Sequence, residues 1–447
     1  MRTGASGAGT PGARVAAAPP AAPAAAAGGD PKRGARLREA QRAQISWGRI
    51  DLEAMLPDDH PARAIWAVVD RLDLSTLYAE IVARDTVAGA PAIDPKILLA
   101  LWVYATSDGE GSAREIWRLT TCHDAYRWLC GGIAVGYHTL SDFRSQQADV
   151  INALITQVLA LLLRQDLIDL RRVAQDGTRV RASAGASSFR RQQTLEALMD
   201  EARAHLAAVT QDAADAALGA RRAAARRRGA QDRLVRLEAA LAQLPEVTAI
   251  KKRSGAKDAT VRVSTTDPEA RVMKMGDGGF RPAFNLQFAT TTDPGRVIVG
   301  VDVTNRGSDM GQTTPMLDQI EARTGVRPAE ILVDGGYAAH EAIEEASAHG
   351  VTVYAPLPKP RRDDPRDPHA PRDGDSEAVA AWRARMGTEA AKAIYTERAG
   401  TAETVNADAK QHRGLDRLAV RGLDKAFGSA VLFALTYDIL RLIALRG

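Results

Sequence analysis

Cysteines and aromatic residues are scarce in this chain, and no long apolar run is free of charged residues. Only 2 of the 447 residues are cysteines, and aromatic residues make up 5% of the composition. So few cysteines exclude the disulfide framework of a small secreted domain. Cys122 and Cys130, with the neighbouring His123, also fall short of the four ligands that a structural zinc ion requires. We interpret both cysteines as reduced, buried thiols of a cytosolic protein.

The apolar segments predict neither a membrane span nor a secretory leader. The best candidate span, residues 426–445, is interrupted by Asp438 and Arg441, so we expect an amphipathic helix that packs on a core. Residues 1–30 are mainly Ala, Gly and Pro and lack a leucine-rich block, which argues against a secretory signal. We expect this segment to be a disordered tail.

The rest of the composition is that of an ordinary globular protein. Hydrophobic residues make up 45% and charged residues 26% of the chain, which is enough for a substantial core. The length predicts two or three domains. The formal net charge of +4 does not by itself indicate a nucleic-acid partner, because the placement of basic residues matters more than their sum.

Residues 31–165 have a helical pattern. Asp94 is a suitable N-cap and Pro95 suits the first helical position, and apolar residues follow at helical spacing. A succession of helices and turns with scattered arginines is compatible with DNA binding. It is also compatible with any small helical bundle. We therefore treat this segment as an all-α, candidate DNA-binding domain.

From residue 166 to residue 447 the pattern becomes strand, hairpin, helix, strand, helix and strand, which predicts a mixed α/β sheet domain. The predicted strands are residues 170–174, 284–290, 297–303, 330–333 and 351–355, and the predicted helices between them are 310–324 and 340–348.

Two insertions interrupt this domain. Residues 192–244 are helical, rich in alanine and carry a cluster of arginines. This insertion is either a solvated helical hairpin or an arm that contacts DNA phosphates. Residues 358–376 are dense in Pro, Asp and Arg and predict a loop.

Two aspartates, each followed by glycine, end predicted strands: Asp176 in VAQDGT and Asp334 in ILVDGG. A glycine there allows a sharp turn and the close approach of a ligand. Two such carboxylates on neighbouring strands repel each other unless a cation compensates them. Mg²⁺ prefers oxygen ligands of this kind. The alternative is that each aspartate caps a helix or fixes a turn. Asp302 and Asp309 near the hairpin are interpreted as structural.

The third carboxylate is expected from a helix that opens near Thr401. Glu403 and Lys410 are two helical turns apart and therefore share a face. An acid for a metal ion and a lysine for a phosphate suit a strand-transfer site. The alternative is an ordinary solvated face. Glu397 and Asp408 fall off the shared face and are weaker candidates.

The segments DGTRVRASAG, ILVDGGY and YTERAGTAETVNADAK occur in this order along the chain. Together they resemble the DDE transposases of bacterial insertion sequences, which carry a Tyr–Arg–Glu–Lys signature. The segments DPKILLALWVYATSDGEGSAREIWRLT and YHTLSDFR extend the resemblance to nearly everything from about residue 45 onward. The most similar group is insertion-sequence family eleven eighty-two.

The resemblance implies a ribonuclease H-like catalytic domain and assigns residue roles. Asp176, Asp334 and Glu403 would be the catalytic metal ligands, binding two Mg²⁺ ions for which Mn²⁺ can substitute. Tyr395, Arg398 and Lys410 would contact the DNA of the transposon end. One departure concerns spacing: four residues separate Arg398 from Glu403, one more than in the commonest form of the signature.

The resemblance also implies the reaction and the partners. The chain would cleave DNA at the inverted repeats that end a mobile element and join those ends to target DNA. A homodimer would bridge the two ends, without a membrane, in the bacterial cytoplasm and at the nucleoid. Two alternatives remain: a ribonuclease H-like nuclease that cuts without joining, and an inactive derivative that only binds DNA.

Overall fold

The computed structural model describes residues 51–81, 91–212, 219–253, 261–359 and 366–446. The tail expected over residues 1–30 lies outside the described residues, and so does part of the loop expected over 358–376. The helices before the first strand are α1 (Pro61–Val69), α2 (Ser75–Ala79), α3 (Pro95–Ser107), α4 (Ala113–Cys122), α5 (Asp124–Cys130), α6 (Tyr137–Gln146) and α7 (Ala148–Arg164).

Helix α3 begins where the sequence predicts. The Asp94 side chain accepts a hydrogen bond from the Lys96 backbone N–H, and Pro95 occupies the first turn. Most of α3 is buried, so this helix lies at the centre of the helical part. The prediction that both cysteines are buried is wrong for Cys122, which is exposed near the end of α4, whereas Cys130 is buried.

The mixed α/β sheet predicted from the alternating pattern is confirmed. The strands are β1 (Arg172–Arg181), β2 (Phe189–Arg190), β3 (Val263–Ser264), β4 (Arg271–Lys274), β5 (Phe280–Thr291), β6 (Ile298–Thr304), β7 (Glu330–Leu332) and β8 (Thr352–Tyr354). In the main sheet β1 is an inner strand, antiparallel to β5 and parallel to β7. Strand β5 also pairs with β4 and β6, and β7 pairs in parallel with β8.

Eight further helices follow strand β1 in the described part of the chain. They are α8 (Gln192–Asp212), α9 (Ala220–Arg253), α10 (Thr313–Thr324), α11 (His340–Ala348), α12 (Glu377–Met386), α13 (Glu389–Arg398), α14 (Thr404–Gln411) and α15 (Leu423–Arg446). Helices α8 and α9 pack together around their own apolar cluster, which includes Leu195, Leu237 and Val263.

Strand β1 is longer than predicted. The pattern predicts that the strand ends before Asp176, but β1 continues to Arg181, so Asp176 lies inside it. The antiparallel ladder to β5 supports the whole length, from Val173 opposite Thr291 to Arg181 opposite Ala283. A dipeptide such as Asp-Gly therefore does not end a strand whose long antiparallel partner continues alongside it.

Helix α15 corrects another expectation. It is buried along most of its length rather than along one stripe, and it packs on α3, α7 and β6. The Phe433 ring lies 5.3 Å from that of Phe288. The fully buried Asp438 accepts a 2.8 Å hydrogen bond from the Ile298 N–H. By length and composition α15 could cross a membrane, but a core helix passes the same test. One continuous core thus joins the helical part to the sheet.

Candidate active site

Asp176 and Asp334 occupy equivalent positions on two neighbouring parallel strands. The last pair between β1 and β7 is Ala174 with Leu332. Asp176 and Asp334 each lie two residues beyond that pair, at the point where β7 has ended and that edge of β1 has lost its neighbour. The register therefore brings the two carboxylates to one edge of the sheet.

The Asp176 carboxylate is poorly compensated. Only 16% of its side chain is exposed. Burial raises its pKa to about 6, and the negative charges of Asp334 and Asp309 act in the same direction. The guanidinium of Arg398 and the Gly177 N–H oppose this rise. Such a carboxylate gains more than an exposed one from an added cation.

Tyr395, Arg398, Glu403 and Lys410 lie on one helical run, which begins earlier than predicted. Helix α13 begins at Glu389, where the Thr388 side chain caps it by accepting from the Ala391 N–H at 3.2 Å. The run passes through a π-helical turn, Ala399–Glu403, and continues as α14. The expectation of a helix that opens near Thr401 is therefore wrong, because Gly400 and Thr401 form a wide turn inside the run.

A π-helical turn, Ala399–Glu403, lies between Arg398 and the start of α14. Such a turn accommodates one extra residue within an α-helix. The Thr401 hydroxyl, buried under the turn, donates a 2.9 Å hydrogen bond to the Glu397 carbonyl. The one-residue departure in spacing that the resemblance implies falls within this turn.

Arg398 lies between the first and third predicted metal ligands. Its Nη1 atom is 3.8 Å from Asp176 Oδ2 and 3.7 Å from Glu403 Oε1. The Arg398 guanidinium also lies 6.0 Å from the centre of the Tyr395 ring. Arg398 thus contacts both carboxylates. The Glu403 side chain is 63% exposed and remains open to solvent.

Asn406 and Lys410 complete the helix face. Asn406 Nδ2 donates a 3.1 Å hydrogen bond to Asp176 Oδ2, a contact that sequence reasoning missed. The contact could have been anticipated, because Asn406 lies three residues after Glu403 and four before Lys410 and therefore shares their helix face. Lys410 is half-buried, and burial lowers its pKa, with the charge of Arg179 adding to the effect. The negative charge of Asp176 acts in the opposite direction and favours the charged form of Lys410, so Lys410 lies in the same region as Asp176.

Asp309, interpreted as structural from the sequence, is buried in a hydrogen-bond network beside the site. Its Oδ1 atom accepts from Asn285 Nδ2 at 2.6 Å and from Gln287 Nε2 at 2.7 Å. Its Oδ2 atom accepts from Arg179 Nη2 at 3.0 Å. The Tyr337 hydroxyl donates to Gln287 Oε1. This network ties the loop after β7 to strand β5.

The network also explains why glycine follows Asp176. A Cβ atom at Gly177 would collide with Asp309 Oδ1 and Gln287 Nε2 and would lie 2.8 Å from Asn285 Oδ1. The Asp-Gly pair here serves close packing inside a strand rather than a turn.

The other acids of the helical run are held in ion pairs. Glu397 binds Arg172 Nη1 with both oxygens, at 2.7 and 2.8 Å. Asp408 accepts from Arg413 Nε at 3.1 Å. Both acids therefore already have an arginine partner, whereas Glu403 shares Arg398 with Asp176.

The donors at the site are of the type that a hard divalent cation prefers. Asp176, Asp334 and Glu403 offer only oxygen atoms. Within the described ranges, no three His, Cys, Asp or Glu side chains already approach closely enough to hold a metal ion. Arg398 supplies the positive charge between Asp176 and Glu403 instead. The residues therefore fit Mg²⁺ in chemistry, with Arg398 as the present counter-charge.

Comparison with known proteins gives two family matches. Residues 50–146 match the family model described as a transposase domain (DUF772), and residues 251–439 match the transposase DDE domain. The second match includes Asp334 and Glu403 and begins after Asp176. No curated protein and no solved structure matches the chain. The two matches confirm the resemblance at the level of transposase domains.

Proposed function

Because the chain carries two transposase domains, the second of the DDE type, we propose that it cleaves DNA at the ends of an insertion sequence and joins those ends to target DNA. We assign it to insertion-sequence family eleven eighty-two. The observation that carries the proposal is the strand register, which places Asp176 and Asp334 each two residues beyond the last pair between the parallel strands β1 and β7. Glu403 is linked to this pair through Arg398.

The proposed catalytic domain is ribonuclease H-like and spans residues 166–447. Its support is the order in which the acids enter the site. The first lies on the first strand of the sheet, the second follows a later strand, and the third lies in a helical run. Residues 31–165 are proposed as the DNA-binding part, and a homodimer would hold the two transposon ends together.

The proposed metal ligands are Asp176, Asp334 and Glu403. Two Mg²⁺ ions, or Mn²⁺ in their place, would supply activation of the attacking oxygen and stabilisation of the leaving oxygen. Asn406 orients the Asp176 carboxylate through its hydrogen bond to Oδ2. Arg398, with the Tyr395 ring beside it, and Lys410 would bind phosphates of the transposon end.

The reaction consists of two displacements at phosphorus. In the first, a water oxygen forms a P–O bond as the bond to the 3′ oxygen breaks, and the 3′ oxygen leaves as a hydroxyl. In the second, this hydroxyl oxygen forms a bond to a target phosphate as a 3′ oxygen of the target leaves and takes up a proton. Neither step passes through a covalent bond to the protein, so no nucleophilic side chain is required.

The test is a strand-transfer assay with labelled duplexes taken from the inverted repeats that flank the gene. With Mg²⁺, the wild type should release a 3′ hydroxyl end and join it to a plasmid. Asp176→Ala and Asp334→Ala should abolish both products and still bind the duplex. Metal-dependent nicking by the purified double variant would overturn the assignment.

Two variants on the same helical run separate catalysis from helix stability. Glu403→Gln should lose cleavage, whereas Glu397→Gln, which disturbs only the pair with Arg172, should retain it. Cleavage without joining by the wild type would favour a nuclease. End binding without cleavage would favour an inactive derivative.

A further inference from the structure

The hairpin of α8 and α9 has a packed base and an unpacked end. At the base, Leu195 and Met199 of α8 share a buried cluster with Leu234 and Leu237 of α9. The first buried side chain of α9 is Ala230. The ten preceding helical residues, 220–229, bury no side chain. At 1.5 Å per residue, about 15 Å of helix extends beyond the packed base.

This extension, which we call the arginine end (residues 220–229), carries concentrated positive charge. It consists of alanine, glycine and five arginines, with no acidic residue. The five exposed arginines are Arg221, Arg222, Arg226, Arg227 and Arg228. None of them forms an ion pair with a residue that the structure describes. The charge is therefore uncompensated within the described chain.

Two arginines of the hairpin base, in contrast, form ion pairs. Arg203 lies 3.6 Å from Asp200, and Arg233 lies 3.4 Å from Glu201. Both pairs are the ordinary surface ion pairs of a solvated helix. The base of the hairpin therefore conforms to the solvated-hairpin interpretation, and the arginine end does not.

The arginines at this end repel one another and point in several directions. Successive helical residues turn by about 100°, so the five side chains spread around the axis. Arg222 and Arg226 are four residues apart, a like-charge spacing that destabilises a helix. A polyanion that approaches the end of the hairpin would remove this repulsion.

We propose that the arginine end binds the phosphate backbone of duplex DNA outside the candidate active site. Guanidinium groups bind phosphate oxygens through paired hydrogen bonds. Helix α9 packs on α8 and β3, whereas the candidate active site lies on β1 and on the helical run from α13 to α14. The proposal rests on the proposed function only for the identity of the polyanion.

The test measures duplex binding as a function of salt, in the presence of a chelator so that catalysis plays no part. Each phosphate contact contributes about −0.9 to the slope of the logarithm of the association constant against the logarithm of salt concentration. Because the five side chains spread around the helix axis, about two or three of them can reach one backbone at a time. The variant R221Q/R222Q/R226Q/R227Q/R228Q should therefore reduce the magnitude of the slope by about two to three on a duplex of arbitrary sequence. R226Q/R227Q/R228Q should reduce it by a smaller amount.

The matched control retains the charge. R221K/R222K/R226K/R227K/R228K should keep the wild-type slope to within about one. Glutamine and lysine are both good helix formers, and these positions are exposed, so circular dichroism should show the same helix content in all variants. A slope unchanged in the glutamine variant would overturn the proposal, and so would stronger arginine-dependent binding to duplex RNA than to duplex DNA.

The outcome is separable from that of the proposed function. The salt slope is measured with a chelator present, so it reports binding and does not depend on catalysis. A wild type that fails to join DNA but shows the arginine-dependent slope would contradict the transposase proposal and leave this one standing.

Discussion

Asp176 lies within the main sheet and Asp309 lies beside it. Their surroundings differ in how well they compensate a negative charge. Asp309 accepts three side-chain hydrogen bonds, one of them from Arg179. Asp176 accepts one from Asn406 and one from the Gly177 N–H, with Arg398 at 3.8 Å. Both side chains are largely buried, with 16% of Asp176 and 8% of Asp309 exposed, so burial alone does not distinguish the two carboxylates.

The difference indicates what each carboxylate can do. A buried carboxylate whose acceptor sites are filled holds its neighbours in place, because losing it would strand several donors. A buried carboxylate whose oxygens accept few hydrogen bonds destabilises the fold when it is charged, and a bound metal ion would offset this destabilisation. We therefore expect substitution of Asp176 to affect chemistry and substitution of Asp309 to affect stability.

The largest expected effect is that of Asp176→Asn on cleavage. The amide keeps the shape and the contact with Asn406 but removes the charge that would bind a metal ion. Since metal coordination contributes several kcal/mol to the transition state, cleavage should fall at least about a thousandfold. Single-turnover cleavage of labelled end DNA measures this. Activity within tenfold of the wild type would remove Asp176 from the site.

Asp309→Asn should instead lower the free energy of unfolding, by about 2 kcal/mol. The new amide N–H₂ would face either Arg179 or the donors of Asn285 and Gln287, so at least one buried donor would lose its acceptor. Urea denaturation measures the change. For the folded fraction, cleavage should stay within about tenfold. A thousandfold loss of cleavage without loss of stability would reverse the comparison.

Gly177→Ala should destabilise the fold by about 1–3 kcal/mol, because the added methyl group overpacks the network. It would press on Asp309, Gln287 and Asn285, whose side chains are held by mutual hydrogen bonds. Thermal unfolding checks this, with the exposed Gly400→Ala, whose added Cβ meets no atom within 4 Å, as the control. Equal melting temperatures for the two variants would show that the network adapts freely.

The last prediction concerns pH. The pKa of Asp176 is raised from 3.8 to about 6, so between these values the folded chain holds a proton that the unfolded chain releases. The stability from this proton is complete below about pH 4 and is lost as the pH rises through about 6. Without metal, the wild type should therefore lose stability relative to Asp176→Asn across this window. A constant difference between their urea midpoints would contradict the raised pKa.

Local sequence patterns predicted much of the architecture. Apolar periodicity located β1, β5, β6, β7 and β8 of the main sheet but missed β4. It also located the helix His340–Ala348, and Asp94-Pro95 marked the start of α3. These features depend on neighbours a few residues apart, which is the range over which capping and side-chain periodicity act. The resemblance supplied the transposase class, which the family matches confirm. The catalytic, metal-binding and DNA-contacting roles of single residues remain predictions.

By itself, the sequence determined which acids follow apolar segments and which side chains share a helix face. Only the tertiary structure decided that Asp176 lies within a strand and that Arg398 and Asn406 reach Asp176. Each of these depends on strand register or on contacts between residues more than 200 positions apart, as for Asn406 and Asp176. Local periodicity carries no information about such partners, because they are chosen by the packing of the whole core.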